Sequence, residues 1–318
     1  MRTKFNFLIS VVFLITIISC DDVFEEDISD KVIQIIYPTN NSVISGNTVE
    51  FSWQLIDGAD NYRIQIINDS QQTIVDSLVS NNYYVANLEA NNYSWRVRGE
   101  NFAYDTSYTF PENFTVINSD DLTNQQVILE TPSNNYYTNA DNVILSWQPL
   151  IASDNYDIEV VKNINGEVII LQDQGLINTN YTLTNSVISD DAEYIWKIRA
   201  NNSSSSTVYS ERSLFIDRVA PSTPNLNSPN ENEIFSNTQI NFSWSISTNT
   251  GQIQSAISYI IEISSDINFS TIIESSTANS NSYSTTLNSN TTYYWRIQAL
   301  DLAGNISNYS NVRTFTIQ

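Results

Sequence analysis

The side chains that most often do chemistry are scarce in this chain. It has no histidine, a single cysteine at position 20, and seven glycines scattered along 318 residues. Without histidine there is no imidazole base for a nucleophilic triad and no histidine zinc ligand. One cysteine forms no internal disulfide and no Cys/His metal set. No glycine-rich phosphate loop is present. Carboxylates are abundant, with 35 Asp and Glu against 13 Lys and Arg. Glycoside hydrolysis needs two carboxyl groups facing each other across the scissile bond. The pairs Asp120-Asp121 and Asp190-Asp191 fall in predicted loops. Neighbours in a loop read as solvated turn residues. Asp301 and Asn305 could offer oxygen ligands to calcium, but with Gly304 between them they read first as a shaped turn. No enzyme activity, no metal and no cofactor are expected.

The net charge of −22 excludes another class. Nucleic-acid binding needs a positive footprint, and no segment of this chain is basic.

The N-terminus has a different character from the rest. Arg2 and Lys4 precede a mostly apolar stretch from Phe5 to Ile18. That length suits the core of a signal peptide and falls short of the about 20 apolar residues of a membrane-spanning helix. The stretch ends in Ile17-Ile18-Ser19-Cys20 and gives way to Asp21-Asp22-Val23-Phe24-Glu25-Glu26-Asp27, with Asp30 close behind. Residues 21–30 read as a solvated tether. The junction resembles a bacterial lipobox, and the acidic run after the cysteine resembles the export signal of surface lipoproteins of Bacteroidota-type bacteria. The resemblance implies that residues 1–19 are a lipoprotein signal peptide. It implies that residues 20–30 are a lipidated cysteine with its acidic tether, and that Cys20 is the membrane attachment. It also implies a chain held in the outer membrane and facing the cell exterior. More than one acyl chain is needed for stable anchoring.

The remaining chain repeats itself. The six tryptophans fall into two sets of three. Phe51-Ser52-Trp53, Leu145-Ser146-Trp147 and Phe242-Ser243-Trp244 are 94 and 97 residues apart. Tyr93-Ser94-Trp95-Arg96-Val97, Tyr194-Ile195-Trp196-Lys197-Ile198 and Tyr293-Tyr294-Trp295-Arg296-Ile297 are 101 and 99 apart. Between them lie the runs that start at Tyr62, Tyr156 and Tyr259. Each run alternates with period two, the mark of a strand with one buried and one wet face. A period this long makes each copy a domain with its own core. Clusters of Asn, Ser, Asp and Gly mark the turns. The fold class is therefore all-β, with three tandem antiparallel β-sandwich domains over residues 31–117, 118–219 and 220–318. In the second copy the first strand is expected at 127–131 and the next at 142–148, with the intervening residues as a connection.

The pattern resembles fibronectin type III and related immunoglobulin-like domains. In that family a Trp marks strand B, and a Tyr-x-aromatic-or-aliphatic-x-Val/Ile-x-Ala run marks strand F. Trp53, Trp147 and Trp244 match the first. Tyr93, Tyr194 and Tyr293 match the second, with Gly99, Ala200 and Ala299 at its last position. The third copy also carries Asp301-Leu302-Ala303-Gly304-Asn305, which looks like the F–G turn of bacterial fibronectin type III domains. The tryptophans are expected in the cores.

Aromatic residues outside this core pattern are the candidate binding groups. Phe102, Tyr104, Tyr108 and Phe110 crowd the F–G region of the first copy, and Tyr136 and Tyr137 lie in the A–B region of the second. Rings on sandwich loops stack on sugars or anchor protein partners. The expected function is a non-enzymatic surface lipoprotein acting as a binding, adhesion or spacer module. The alternative is a carbohydrate-binding accessory lipoprotein of an outer-membrane glycan-uptake system. The expected partners are the membrane, through Cys20, and an extracellular protein or glycan.

Overall fold

A computed structural model describes residues 25–318. Cys20, the signal peptide and the start of the tether lie outside the described residues. Twenty-four strands, and no helix among the described residues, form six sheets. They make three sandwiches, each pairing a three-stranded with a five-stranded sheet.

The first sandwich runs through β1 (Ile35–Tyr37), β2 (Ser42–Ser45), β3 (Thr48–Trp53), β4 (Asn61–Asn68), β5 (Thr73–Val79), β6 (Tyr83–Asn87), β7 (Asn91–Glu100) and β8 (Glu112–Ile117). Its sheets are ordered β1-β3-β6 and β2-β8-β7-β4-β5. The second repeats this with β9 (Leu129–Thr131), β10 (Tyr136–Thr138), β11 (Val143–Trp147), β12 (Asn155–Asn163), β13 (Glu167–Leu176), β14 (Asn180–Leu183), β15 (Ala192–Asn201) and β16 (Ser210–Ile216). The third does so with β17 (Leu226–Ser228), β18 (Glu233–Phe235), β19 (Gln239–Trp244), β20 (Ile257–Ser264), β21 (Ile272–Ala278), β22 (Ser282–Thr286), β23 (Thr291–Asp301) and β24 (Arg313–Ile317). By contact density the chain forms two compact units. One holds described residues up to Val43 with Glu50–Ala86 and Asn91–Thr115, and the other holds Ile44–Val49, Asn87–Ala90 and Val116–Gln318.

The alternation seen in sequence becomes burial. Along β7 the side chains of Tyr93, Trp95 and Val97 turn inward, and those of Ser94, Arg96 and Arg98 outward. All six tryptophans are at most 1% exposed. In the first copy Phe51 packs edge-on against Trp95 at 5.0 Å and against Phe114 at 5.5 Å. The third repeats this with Phe242 against Trp295 and Phe315, at 5.0 and 5.7 Å. The second substitutes Leu145 and Leu214 at the corresponding places in its core. T-shaped pairs add packing energy beyond the area they bury.

Each copy has one strand more than the sequence pattern announces. After Pro132 the chain turns at Asn135, whose φ is +58°, and Tyr136–Thr138 then run parallel to Leu214–Ile216. Glu233–Phe235 pair in parallel with Phe315–Ile317 in the same way, after Asn232 at +59°. Asparagine tolerates this left-handed backbone better than most residues. Its amide is also used: Asn135 N–H reaches the Ser213 carbonyl at 2.9 Å, and Asn232 N–H the Thr314 carbonyl at 2.8 Å. Three residues are too few to show a period, so these strands read as connection in the sequence. Tyr136 and Tyr137 thus sit on a strand rather than in a binding loop.

The acidic lead-in also departs from expectation. Ile28 is fully buried, and Lys31 pairs with Glu26 at 2.6 Å while its ammonium donates to the Asp57 carbonyl at 2.6 Å. Residues 26–31 are part of the folded first sandwich. The repeat shows why, because Asp27-Ile28-Ser29 and Asp121-Leu122-Thr123 stand the same distance before Pro38 and Pro132. Ser29 and Thr123 N–H each cap the preceding aspartate, at 3.0 and 2.9 Å, and Leu122 is buried as Ile28 is.

Candidate functional site

The F–G region of the first sandwich is built on one asparagine. Asn101 opens the turn after β7 and accepts the N–H groups of Ala103 and Tyr104 at 3.1 and 2.8 Å. Its amide nitrogen donates to the carbonyls of Glu26 and Gly58, at 2.8 and 2.9 Å. This turn carries Phe102 out into solvent, 92% exposed, and Tyr104 partly out at 39%. Phe110, past the turn, is also 92% exposed. Two open phenyl rings on one segment mark it as the candidate contact surface.

Tyr108 does something else. It lies under two guanidinium groups, Arg96 at 4.4 Å and Arg98 at 5.0 Å from its ring centroid. Burial raises its phenol pKa above the usual range. The other sandwiches repeat the stack, with Arg199 over Tyr209 at 5.1 Å and Arg296 over Tyr309 at 3.8 Å. Tyr108 is thus a platform for the wet face of the five-stranded sheet. The repeat at Tyr209 and Tyr309 was the sequence signal for it.

That face is charged and largely self-paired. Asp157 stands opposite Arg199 in the β12–β15 ladder and takes it at 2.9 and 3.0 Å. Glu262 stands opposite Arg296 and takes it at 2.7 Å. In the first sandwich both of these acids are replaced. Arg63 stands opposite Arg98, and Gln65 opposite Arg96. Like charges directly across a ladder repel. Glu100 answers this by accepting from Arg63 at 3.0 Å and from Arg98 at 2.7 Å, while Asp76 holds Arg63 at 2.8 Å and Asp105 holds Arg98 at 3.2 Å. Gln65 and Arg63 in turn hold the Asp76 carboxyl below its ordinary pKa.

The remaining sequence candidates are absorbed by structure. Tyr137 stacks on Phe215 at 4.6 Å, and Tyr136 is 42% exposed beside it. Asp121 accepts the Thr123 N–H, and the Asp120 carbonyl takes the amide of Asn202 at 2.8 Å. Asp190 pairs with Lys162 at 2.8 Å and Asp191 with Arg218 at 3.1 Å, so the two carboxylates serve different cations. Asp301 and Asn305 form a turn: both Asp301 oxygens accept from Asn305, its N–H at 2.8 Å and its side-chain amide at 3.0 Å. No cluster of three or more metal-ligating side chains occurs among the described residues.

Asn305 reveals a role that a sequence reading misses. Asp301 stands where Asn101 and Asn202 stand in the other copies. A carboxylate has no N–H to give the lead-in segment. The turn is one residue longer here, with Gly304 at φ +90°, and Asn305 supplies the missing donor to the Asp217 carbonyl at 2.9 Å. Its oxygen accepts from Asn139 of the second sandwich at 3.0 Å. This turn therefore joins the second and third sandwiches.

A concavity of about 440 Å³ lies among Gly46, Asn47, Gln125, Gln126, Gln148 and Leu150. The side-chain amides of Asn47 and Gln125 are already engaged. Asn47 donates to and accepts from the Gln126 backbone at 2.9 and 3.0 Å, and Gln125 donates to the carbonyls of Ser119 and Asp121 at 3.0 and 2.7 Å.

Residues 222–317 match the family described as Rha78A-like, N-terminal immunoglobulin domain. No curated protein matches the chain. Among solved structures, the FN1–FN3 domains of chicken CNTN1 align at 14% identity and a TM-score of 0.46, over 90% of this chain and 98% of that one. A two-domain fibronectin type III segment of chicken tenascin aligns at 15% identity and a TM-score of 0.22, over 58% of this chain and 98% of that one. The sheet order and the buried tryptophans of all three sandwiches agree with the family match of the third: this is a protein of tandem immunoglobulin/fibronectin type III-like β-sandwich domains.

Proposed function

We propose that the chain is a surface-displayed lipoprotein, held in the outer membrane by lipid on Cys20, whose sandwiches bind an extracellular ligand. One observation carries the reading: Phe102 and Phe110, each 92% exposed, flank the F–G turn of the first sandwich. Solvent-facing rings of this size fit a contact surface better than a spacer. The sandwich fold is consistent with a non-catalytic binding or adhesion module. A glycan ligand is the favoured class, which suits the accessory role in glycan uptake. An open ring fits a flat sugar face.

The test has two arms. Full-length protein in detergent is screened on a glycan array beside the variant with Phe102→Ala and Phe110→Ala. Loss of binding in the variant supports the reading, and unchanged binding sinks the assignment of this turn. Metabolic lipid labelling of the wild type and of C20A addresses the anchor; label retained in C20A removes it.

A further inference from the structure

We propose that the wet face of the five-stranded sheet of the first sandwich binds a carboxylate-bearing sugar, with Arg96 taking the carboxylate. The proposal rests on the surface-binding reading above and names its ligand class.

Internal comparison of the three copies carries it. At the position of Arg96 the second copy has Lys197 and the third has Arg296. Lys197 pairs with Glu211 at 3.4 Å, and Arg296 with Glu262 at 2.7 Å. Arg96 has no carboxylate partner among the described residues. Its Nε and Nη2 both reach the neutral Gln65 oxygen, at 2.9 and 2.7 Å. A guanidinium has five N–H donors, and those on the other edge of Arg96 meet no acceptor among the described residues. Nearby, Arg63 and Arg98 are already paired with carboxylates, those of Glu100, Asp76 and Asp105. So among the described residues the face has one arginine without a carboxylate partner, and it lies over the Tyr108 ring at 4.4 Å.

A planar guanidinium fixed on a ring is preorganised for a carboxylate, which it meets with two parallel hydrogen bonds. The chain as a whole is acidic and repels polyanions at long range. At physiological salt that repulsion is screened within about 8 Å, leaving the local contact to decide. The open rings of Phe110 and Phe102 lie on the segment that also carries Tyr108. A guanidinium on β7 and exposed rings on the segment that follows it fit a ligand that carries a carboxylate on a flat ring face, which an acidic sugar presents.

The experiment titrates the full-length protein in detergent with oligogalacturonate, with its methyl ester and with poly-glutamate. The expected result is that the acid form binds at least about tenfold more tightly than the ester, and that R96Q erases the difference. The control K197Q retains it, and R96K retains part of it. Rising salt weakens acid binding in the wild type, a readout independent of any variant's folding. Equal binding of acid and ester, or an R96Q variant that folds and binds as the wild type does, overturns the proposal. Tighter poly-glutamate binding overturns it in favour of an acidic peptide. Neutral glycans bound through Phe102 and Phe110 without acid preference would sink this proposal alone, while no binding to any glycan would sink both.

Discussion

Asn101 holds Glu26. The side-chain amide of an F–G turn donates at 2.8 Å to the backbone carbonyl of the segment leading into the same sandwich. Asn202 and Asp120 repeat the bond at 2.8 Å in the second copy, again with a second acceptor, Ala152 at 3.0 Å. The turn and the entry of each domain are therefore one structural element. Removing the donor leaves two carbonyls without it and unties the turn. Asn101→Ala and Asn202→Ala are each expected to cost about 1–3 kcal/mol, read by urea denaturation. Asn101→Asp should cost as much, since a carboxylate accepts but cannot donate. An N101D variant as stable as wild type would show that the bond does not matter.

The same contact makes the acidic lead-in part of the fold. Ile28 is fully buried, so a fragment beginning at residue 31 discards a core residue as well as the Glu26 carbonyl. Ile28→Ala should destabilise the first sandwich by about 2–5 kcal/mol, the range for aliphatic truncations in cores. A fragment starting at residue 21 should melt above one starting at residue 31. Equal melting temperatures would restore the picture of a free tether.

What was legible in the sequence had a long period or a large side chain behind it. Trp53 and Trp95, and their counterparts, announce two strands and a core because alternation extends over many residues and only a buried site suits an indole. The extra strand at Tyr136–Thr138 has three residues and draws its stability from a parallel partner nearly eighty positions away. Residues 26–31 are dominated by charge, which hid the single buried Ile28. The stacking role of Tyr108 was visible only in its recurrence at Tyr209 and Tyr309, since a ring beside arginines has the same sequence signature as a ring awaiting a ligand.

Two glycines should respond unequally to alanine. Gly99 stands where Ala200 and Ala299 stand, and a methyl there meets the Ala59 methyl at 3.3 Å and the Thr106 methyl at 3.5 Å. A shift of a few tenths of an ångström in Ala59 accommodates it, so Gly99→Ala should change stability by less than about 1 kcal/mol. Gly304 has open space, its nearest neighbour being the Asn139 amide at 3.9 Å, but its φ is +90°. Gly304→Ala should cost about 1 kcal/mol or more through backbone strain alone. Calorimetry on the two variants decides whether conformation or space governs each site.

Two aspartates should titrate on opposite sides of the ordinary value of 3.8. Burial pushes the Asp217 carboxyl up, helped by the charges of Asp301 and Asp191. The folded state then holds this proton more tightly than the unfolded one. The Asp217 contribution therefore favours folding at low pH and is lost as pH rises from 3.8 through its folded value. Backbone N–H groups of Thr271, Ser270 and Asn268 pull Asp266 down. Its contribution is present above 3.8 and lost as pH falls through its lower folded value. Carboxyl carbon shifts followed by NMR check both; midpoints in the reverse order would contradict the burial of Asp217 or the capping by Asp266.

The join between the second and third sandwiches turns on Asn305, which is 9% exposed and fully engaged. It donates to the Asp217 carbonyl at 2.9 Å and to Asp301 at 3.0 Å, and accepts from Asn139 at 3.0 Å. Asn305→Ala should cost about 1–3 kcal/mol, because buried partners lose their bonds and no water replaces a side chain packed at a join. Calcium is the competing reading of the same residues. It would need the Asp301 oxygens, and both already accept from Asn305. Millimolar calcium or a chelator should therefore leave the melting temperature of the wild type unchanged. A calcium-dependent rise that disappears in Asp301→Asn would show instead that the ion displaces the turn's own hydrogen bonds and that the join is a metal site.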